Sequence, residues 1–251
     1  MRILFLNKAP ESLKSYDVAR IEALLNGYAS PGTRVELGFP DDFPGAQVKT
    51  ALGGQRVLNG LDHQMDTPAL IKKIVWAQDR GYDAVIQSNT FDPGVEGARL
   101  AVQIPVLGPF RTTLHAAATL ADRIGVLVPL DSHVPLTWRL LRGYGMDRLV
   151  ADVQPITLYC ADKEGAGENL RDAAAERISA LARAGAQAVI PLGGVVIPYI
   201  VDPDELTRLT GVPVWNTKAV TIRFAETCVG LGLRQSPLTY PKANLTAADF
   251  A

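Results

Sequence analysis

Residues 81–89 read GYDAVIQSN and residues 185–193 read GAQAVIPLG, and these two segments decide the fold. Each contains a glycine that ends a helix, an apolar run typical of a buried parallel strand, and a loop at the end of that strand. A short helix, a second strand (IPVLG at 104–108, VPVWN at 212–216) and an alanine-rich helix then follow in both places. All βαβ units look alike to some degree, but matching offsets over roughly 30 residues predict two homologous halves.

The alternation of strand and helix patterns continues along the chain and predicts an α/β fold with parallel sheets. We expect two pseudo-symmetric Rossmann-like halves, residues 1–113 plus 216–251 and residues 114–215, with an interdomain cleft. Because parallel strands place ligands at their carboxyl ends, Asn89 and Gly193 should face each other across that cleft. The predicted strands are 2–6, 34–39, 83–87, 104–107, 124–128, 153–159, 188–191 and 212–215, and the longer predicted helices are 11–26, 66–80, 93–101, 112–122, 135–144, 168–184 and 219–231.

Three segments have patterns of their own. The stretch from 40 to 61 is rich in Gly, Pro and Asp without a clear period, so it is interpreted as a lid or binding loop. Asp66 is expected to cap the next helix, with Pro68 in its first turn. The polar segment after Ser236 carries two prolines and is expected to form an extended arm.

Composition excludes several classes of protein. The 251 residues carry 25 Lys+Arg and 26 Asp+Glu, a net charge of -1, which gives no electrostatic footprint for nucleic acid or for a membrane surface. No apolar run approaches the roughly 20 residues that a bilayer span needs. The two cysteines cannot form a disulfide framework, so reduced thiols and a cytoplasmic location are expected.

Four short motifs recur in one known family. Asn7 follows the first strand, residues 82–86 lead to DPG at 92–94, HAA stands at 115–117, and GVPV at 211–214 precedes LGLR at 231–234. In order and spacing the chain resembles the Asp/Glu/hydantoin racemase superfamily, and most closely its hydantoin and allantoin racemase branch. The resemblance implies a small-molecule substrate and no cofactor. We also expect a homo-oligomer.

The resemblance implies two catalytic cysteines that this chain lacks. Racemases of the family use one thiolate to remove a proton and one thiol to return it from the opposite face. Here Asn89 and Gly193 stand at the two cysteine positions, and neither side chain transfers a proton. The cysteines that are present, Cys160 and Cys228, lie elsewhere and are interpreted as small apolar packing residues.

The two strand-end loops supply candidate ligand-binding groups. Ser88, Asn89 and Thr90 could hold a carboxylate or a developing oxyanion, and the alternative is an Asx or ST turn that caps the next helix. In the second loop, Gly193 and Gly194 allow close approach of backbone to a ligand or provide N–H groups at a helix start, and the alternative is a simple tight turn. Tyr199 is the polar side chain of that loop.

Three cations fall at the carboxyl ends of predicted strands. Lys8 follows Asn7, Arg111 follows the strand at 104–107, and Lys218 follows the strand at 212–215. Arg111 suits bidentate recognition of a carboxylate, and a desolvated lysine such as Lys218 can act as a base or nucleophile. The alternative for each is a surface cation at a helix start, and we expect a role for at least one of the three.

The three histidines differ in context, and no spacing of His, Cys, Asp or Glu predicts a metal site. His133 follows a strand and is a candidate general acid or base. His115 is interpreted as structural or supporting, and His63 as part of a lid or simply solvated. The predicted catalytic residues are therefore Asn89, Thr90, Lys218 and His133, and the predicted substrate-binding residues are Asn7, Lys8, Ser88, Arg111, Gly193, Gly194 and Tyr199.

Three functions remain open at this point. The leading hypothesis is an enzyme that acts on a small carboxylate, amide or cyclic ureide by cysteine-independent hydrolase or lyase/hydratase chemistry. The second is a racemase or isomerase that uses other bases, for instance Lys218 or His133. The third is a non-catalytic ligand-binding protein on a racemase scaffold.

Overall fold

A computed structural model of the chain describes residues 1–13, 16–51, 60–157, 166–193, 196–243 and 245–250. Cys160, Gly194 and the glycine pair at 53–54 lie outside the described residues. The chain divides into two compact units. The first unit comprises Met1–Val48, Leu61–Pro109 and Thr221–Ala251, and the second comprises Lys49–Gly60 and Phe110–Val220.

The first unit contains a four-stranded parallel sheet with the strand order β2-β1-β3-β4. Its strands are β1 (Arg2–Leu6), β2 (Arg34–Gly38), β3 (Ala84–Gln87) and β4 (Val106–Leu107). The helices that follow these strands along the chain are α1 (Val18–Tyr28), α2 (Gly45–Ala51), α3 (Leu61–Asp79) and α4 (Val95–Ala101).

The second unit contains a three-stranded parallel sheet with the order β6-β5-β7. Its strands are β5 (Ile124–Val128), β6 (Val150–Pro155) and β7 (Ala188–Pro191). The remaining helices are α5 (Pro109–Ala117), α6 (His133–Tyr144), α7 (Ala166–Arg183), α8 (Pro203–Thr210) and α9 (Thr217–Gly230). Short 3-10 turns lie at Glu11–Leu13, Asp147–Leu149 and Ala247–Phe250.

The internal repeat is present in the hydrogen bonds of both units. Gly81 and Gly185 both end a helix with a positive φ, 73° and 96°, which glycine adopts without steric cost. Equivalent backbone hydrogen bonds flank the strand that follows each glycine. Just before the strand, Asp83 N–H donates to Arg2 O and Gln187 N–H to Arg123 O, both over 2.8 Å. Just after it, Ser88 N–H donates to Leu6 O and Leu192 N–H to Leu127 O, both over 2.7 Å. Asn89 and Gly193 therefore occupy equivalent positions in their respective units.

Apolar spacing explains how the helices cover these sheets. In α7, four side chains at helical spacing are buried against the second sheet, namely Leu170, Ala174, Ile178 and Leu181. The inner strands β1, β3 and β5 are buried on both faces from Ile3, Ala84 and Ile124 onward, as continuous apolar runs predict for parallel sheets, whereas β2 and β6 at the sheet edges are only partly buried. Each large apolar side chain buried in this way contributes roughly 1.5–3 kcal/mol to folding.

The structure corrects the predicted start of α3. The helix begins at Leu61 and contains Pro68 in its interior, so Asp66 is a helical residue and not the cap. Thr67 uses its hydroxyl to donate to the carbonyl of His63, 3.0 Å away, close to the point where Pro68 supplies no backbone N–H. Tertiary contacts of the first turns, described below, outweigh the usual preference of proline for a helix start.

Two further predictions change in detail. The strand expected at 212–215 is reduced to an isolated bridge between Val214 and Val189. The segment from 40 to 61 contains α2, so it is not wholly a loop. The C-terminal arm packs on the first unit, where Lys72 donates to the carbonyl of Phe250 and Leu245 is partly buried.

Candidate active site

The carboxyl end of β1 carries Asn7, the first predicted binding residue. Asn7 is buried, and its backbone N–H and side-chain amide both donate to the carbonyl of Gly38, over 2.8 and 3.4 Å. Its side-chain oxygen accepts a hydrogen bond of 2.7 Å from the hydroxyl of Tyr16. Burial raises the pKa of Tyr16 to about 12, so this hydroxyl keeps its proton at neutral pH. Asn7 thus ties the end of β1 to the end of β2.

Lys8 lies in a group of four ionisable side chains, which we call the Lys8 cluster: Lys8, Asp62, His63 and Asp66. Its ammonium donates a hydrogen bond to Oδ2 of Asp62 and lies 3.2 Å from Oδ2 of Asp66. Nε2 of His63 is 3.5 Å from the same Asp62 oxygen. Asp62 and Asp66 are 2% and 1% exposed, and the side chain of Lys8 is 15% exposed. Lys8 is therefore not a solvated surface cation.

His63 is a buried residue of α3, so its assignment to a lid or to solvent is wrong. Its imidazole contacts the ring of Phe91, with the centroids 5.4 Å apart and the planes tilted by 32°. Phe91 belongs to the loop that follows β3. The first turns of α3 and the end of β3 therefore meet at the carboxyl edge of the first sheet.

Asp66 is held in place by the backbone of the first residue of α2. Its Oδ1 accepts a hydrogen bond of 2.7 Å from the N–H of Gly45. A Cβ atom at Gly45 would lie 2.5 Å from one Asp66 oxygen and 2.6 Å from the other, so only glycine allows this approach. Burial raises the pKa of Asp66, although Lys8 and the Gly45 N–H oppose that rise.

The loop after β3 is an Asx turn built around Asn89. The Asn89 side-chain oxygen accepts from the N–H of Phe91 at 2.9 Å, and the Asn89 N–H donates to Oε1 of Gln87 at 2.8 Å. The Asx turn expected as the alternative to ligand binding is therefore present. It uses the oxygen of the Asn89 amide, so the amide nitrogen is the group with which this side chain can donate to a ligand. Ser88 is half-buried beside it, and Thr90 is buried.

Gln87 is a further polar residue at this edge. It is the last residue of β3 and is fully buried, although its neighbours in the strand are apolar. Its Nε2 has no hydrogen-bond partner among the residues that the structure describes. An unsatisfied buried donor costs about 1–3 kcal/mol, so this amide nitrogen is suited to a ligand acceptor.

Asp92 closes the same loop against β4. Its backbone has a positive φ of 51°, and its side chain is buried against Gly108, where a Cβ atom would overlap the carboxylate carbon. Gly108 is therefore required for close packing, and it brings the end of β4 next to the loop.

In the second unit, His133 follows the end of β5. It is the first residue of α6 and is buried, with its N–H donating to the carbonyl of Leu130 at 3.0 Å. Its own carbonyl accepts from the hydroxyl of Thr137 at 2.8 Å. The predicted acid or base thus lies at a strand end and out of bulk solvent.

Arg111 lies in the first turn of α5 and is half-buried. Its guanidinium carbon is 5.3 Å from the ring centroid of Tyr144, a cation–π contact. The pKa of His115, one turn further along α5, is lowered by burial and by the Arg111 charge. The side chain of His115 is nevertheless exposed at the surface of α5.

The loop after β7 turns at Gly193. This glycine has a φ of 81°, and a Cβ atom here would overlap Cγ of Pro129. The following described segment, Val196–Ile200, forms turns, and α8 begins only at Pro203, so Gly193 does not begin a helix. Tyr199 is half-buried in this turn.

Lys218 is the most deeply buried cation of the predicted set. It is 1% exposed and ranks among the largest fully buried side chains among the described residues. Asn216 caps α9, because its side-chain oxygen accepts from the N–H groups of Lys218 and Ala219, both at 3.1 Å. The alternative of a surface cation is therefore wrong for Lys218.

Cys228 lies within α9, away from the strand ends described above. It is buried, and burial raises the pKa of its thiol. A protonated, buried thiol is a packing residue, as the sequence predicted.

Sequence reasoning missed Asp62 and Gln87 as site residues and misplaced His63 and Asp66. Asp62 and Asp66 are four residues apart, which places them on one face of a helix. The four-residue spacing is informative only if both residues are helical, and the sequence had predicted a helix start at Asp66 instead of Leu61. Among the described residues, no three His, Cys, Asp or Glu side chains form a metal site, and no helix is long and apolar enough to cross a membrane.

Two parallel sheets with covering helices, and buried ionisable groups near the strand ends, place the chain in the α/β class of proteins. The family is shown by comparison. The chain belongs to the Asp/Glu/hydantoin racemase family, whose model matches residues 39–225.

Relatives are found over the whole length of the chain. A hydantoin racemase of Rhizobium meliloti is 28% identical over 251 residues, covering 99% of this chain and 97% of the relative. A hydantoin racemase of a Pseudomonas species is 28% identical over 195 residues, 76% of each chain. The allantoin racemase structure from Klebsiella pneumoniae has a TM-score of 0.80 at 24% identity, covering 97% and 95% of the two chains. The predicted fold class and family branch are confirmed.

Proposed function

We propose that the protein is a racemase or isomerase that acts on a carbon acid of the cyclic ureide class by means of bases other than cysteine. The observation that carries this proposal is the full-length likeness to a protein named hydantoin racemase. This likeness favours the racemase alternative over the hydrolase or lyase chemistry that the sequence led us to expect.

Racemisation requires a stabilised carbanion. A proton leaves the carbon next to a carbonyl, and the developing negative charge on the carbonyl oxygen must meet fixed donors. The amide nitrogens of Asn89 and Gln87 supply donors at the carboxyl edge of the first unit. Arg111 is the proposed source of positive charge within the second unit, where its guanidinium contacts the ring of Tyr144.

Proton transfer without a thiol requires other ionisable groups. Lys218 and His133 are buried ionisable side chains of the second unit, at the first turns of α9 and α6. They are the proposed bases of that unit. Ser88 and Tyr199 remain proposed substrate-binding residues, and Thr90 remains a proposed catalytic residue.

The test uses separate enantiomers of benzylhydantoin, allantoin and aspartate in deuterium oxide. Chiral chromatography measures loss of optical purity, and proton NMR measures exchange of the hydrogen on the acidic carbon. Mass spectrometry separates addition of water, which indicates hydrolysis, from loss of carbon dioxide, which indicates decarboxylation.

Inverted, deuterated and otherwise intact product supports the proposal. Ring-opened product would restore the hydrolase hypothesis. Unchanged substrate together with a ligand-dependent rise in Tm would identify a binding protein. A variant of the exposed helix residue, His115→Gln, is the control for nonspecific effects of substitution.

A further inference from the structure

The Lys8 cluster is formed by segments that are distant in sequence. Lys8 follows β1, whereas Asp62, His63 and Asp66 lie in the first two turns of α3, more than 50 residues further along the chain. All four side chains are largely removed from solvent, and they lie at the carboxyl edge of the first sheet. This is the edge at which open parallel α/β sheets bind their ligands.

Such a cluster is costly to bury. The penalty for desolvating each ion is several kcal/mol, and apolar side chains of similar volume would hold α3 on the sheet at least as well. Oδ1 of Asp62, moreover, has no hydrogen-bond partner among the described residues. A buried carboxylate with an open acceptor position indicates a site that is completed by a ligand.

The Lys8 cluster brings one basic and two acidic side chains together with the imidazole of His63. Their charges act on one another at these short distances. The mutual effect is visible at Asp62, where burial raises the pKa but the charges of His63 and Lys8 outweigh burial and hold it below its usual range. The carboxylate of Asp92, in the loop after β3, packs against Gly108 just after β4.

His63 also contacts the loop that matters most for the proposed reaction. Its ring packs on Phe91, and Phe91 is fixed to Asn89 by the hydrogen bond from its N–H. Asn89 stands where the family resemblance implies a catalytic cysteine. The imidazole is therefore an ionisable ring in direct contact with the loop that lacks the thiol.

We propose that His63 is the proton-transfer residue of the first unit, that Asp62 positions its imidazole, and that Lys8 and Asp66 set its charge. This inference rests on the proposed function. In the step, the imidazolium gives its proton to the carbanion, which forms the C–H bond and leaves a neutral imidazole. The carbanion is formed when a second base of the protein removes the proton from the other face of the same carbon. In the reverse direction the neutral imidazole removes the proton, and the protonated second base returns one to the other face.

The first experiment compares wild type, His63→Gln and the control His115→Gln in the deuterium-exchange assay across pH. General acid–base catalysis contributes about 10²–10⁴ in rate, so His63→Gln should slow exchange by that factor. It should also remove the inflection that titration of the imidazole produces in the plot of exchange rate against pH. His115→Gln should preserve both the exchange rate and the shape of that plot. Tm measurements confirm that each variant is folded.

The second experiment tests the positioning role by NMR titration of the histidine ring signals, which His63→Gln assigns. Asp62→Asn removes a negative charge and should lower the pKa of His63, and the inflection of the rate profile should move with it. Lys8→Met removes a positive charge and should raise both the pKa of His63 and the pH of the inflection. Each variant predicts a shift of known direction, so either one alone tests the positioning role if the other fails to fold.

A wild-type enzyme that exchanges substrate protons, with His63→Gln exchanging at the same rate, would overturn this inference and leave the proposed function intact. An unchanged His63 pKa in both charge variants would overturn the positioning role. A wild-type protein that exchanges no proton of any substrate tested overturns the proposed function, and this inference with it.

Discussion

The ammonium nitrogen of Lys8 lies 3.2 Å from Oδ2 of Asp66, and the same ammonium donates to Asp62. A residue that the sequence placed at a strand end as a ligand-binding cation is thus bound by two carboxylates of its own unit. The interaction links β1 to the first turns of α3, and it explains why α3 begins several residues before its proline.

Removal of Lys8 should be strongly destabilising. Lys8→Met leaves two buried carboxylates without their cation, which typically costs about 3–5 kcal/mol. Urea unfolding measures the change in the free energy of unfolding. The matched control is Lys73→Met, because the partner of Lys73, Asp41, is 72% exposed. That substitution should cost less than about 1 kcal/mol, and equal losses in the two variants would contradict a buried network.

The free energy of unfolding should respond to pH in opposite ways at the two carboxyl groups of the cluster, Asp62 and Asp66. The pKa of Asp62 is lowered, so its stabilising contribution is present above the unfolded value of about 3.9 and is lost as pH falls through the folded value. The free-energy difference between wild type and Asp62→Asn should therefore narrow on acidification below about pH 4.

Asp66 provides the opposite case. Burial raises its pKa, so the folded state binds more protons than the unfolded state between the two values, and stability falls as pH rises through that window. Asp66→Asn should flatten this part of the curve of unfolding free energy against pH. A curve for Asp66→Asn that falls as steeply as that of wild type would show that Asp66 ionises normally in the folded protein.

Gly193 should be intolerant of a side chain for two separate reasons. Gly193→Ala imposes a left-handed backbone on alanine, at about 1–2 kcal/mol, and drives Cβ into Pro129, at about 1–3 kcal/mol more. Gly185→Ala carries only the backbone cost, because nothing lies within 4 Å of the position that its Cβ would occupy. Adding Pro129→Ala to Gly193→Ala should recover part of the lost free energy of unfolding. A double variant no more stable than Gly193→Ala would show that the overlap with Pro129 contributes nothing.

Substitution of Asn89 should separate its two roles. Asn89→Ala removes both the acceptor for the Phe91 N–H and the amide donor, and loss of an oxyanion donor costs about 10²–10³ in kcat. Asn89→Asp keeps the acceptor and lacks the donor. We expect Asn89→Asp to retain the wild-type Tm and to lose as much activity as Asn89→Ala. Full activity in both variants would remove Asn89 from the catalytic residues.

The cysteines should be dispensable. The thiol of Cys228 is buried with a raised pKa, and the family resemblance led us to expect the catalytic thiol positions at Asn89 and Gly193 rather than at either cysteine. The double variant Cys160→Ser and Cys228→Ser should therefore keep kcat within a small factor of wild type. A loss of two orders of magnitude with an unchanged Tm would identify a nucleophile that the present assignment omits.

Much of the fold was predictable because strands and helices leave local periodic patterns. The bounds of β1, β5 and β7 agree with the apolar runs at 2–6, 124–128 and 188–191. The repeat of 81–89 at 185–193 predicted equivalent strand-end loops, and the backbone bonds of Ser88 and Leu192 confirm them. These features depend on neighbouring residues, so a single sequence contains the information.

The candidate site was predictable only where it lies next to a strand. Asn7, Asn89 and His133 follow strands, and the sequence proposed them as site residues on that ground. Asp62 was missed, and His63 was misplaced, because the turn signal of Pro68 suggested a later helix start. Nothing local to either residue reports that Lys8 lies beside them.

The sequence by itself determined the order of strands and helices, the internal repeat and the family, because each depends on local pattern or on motifs in fixed order. The tertiary structure decided which charged residues are buried together. The contact of Lys8 with Asp62 spans 54 residues, and its energy depends on desolvation and distance, which arise only when β1 and α3 pack against each other. For the same reason it was the packing of Phe91, and not any motif, that placed His63 beside the loop of Asn89.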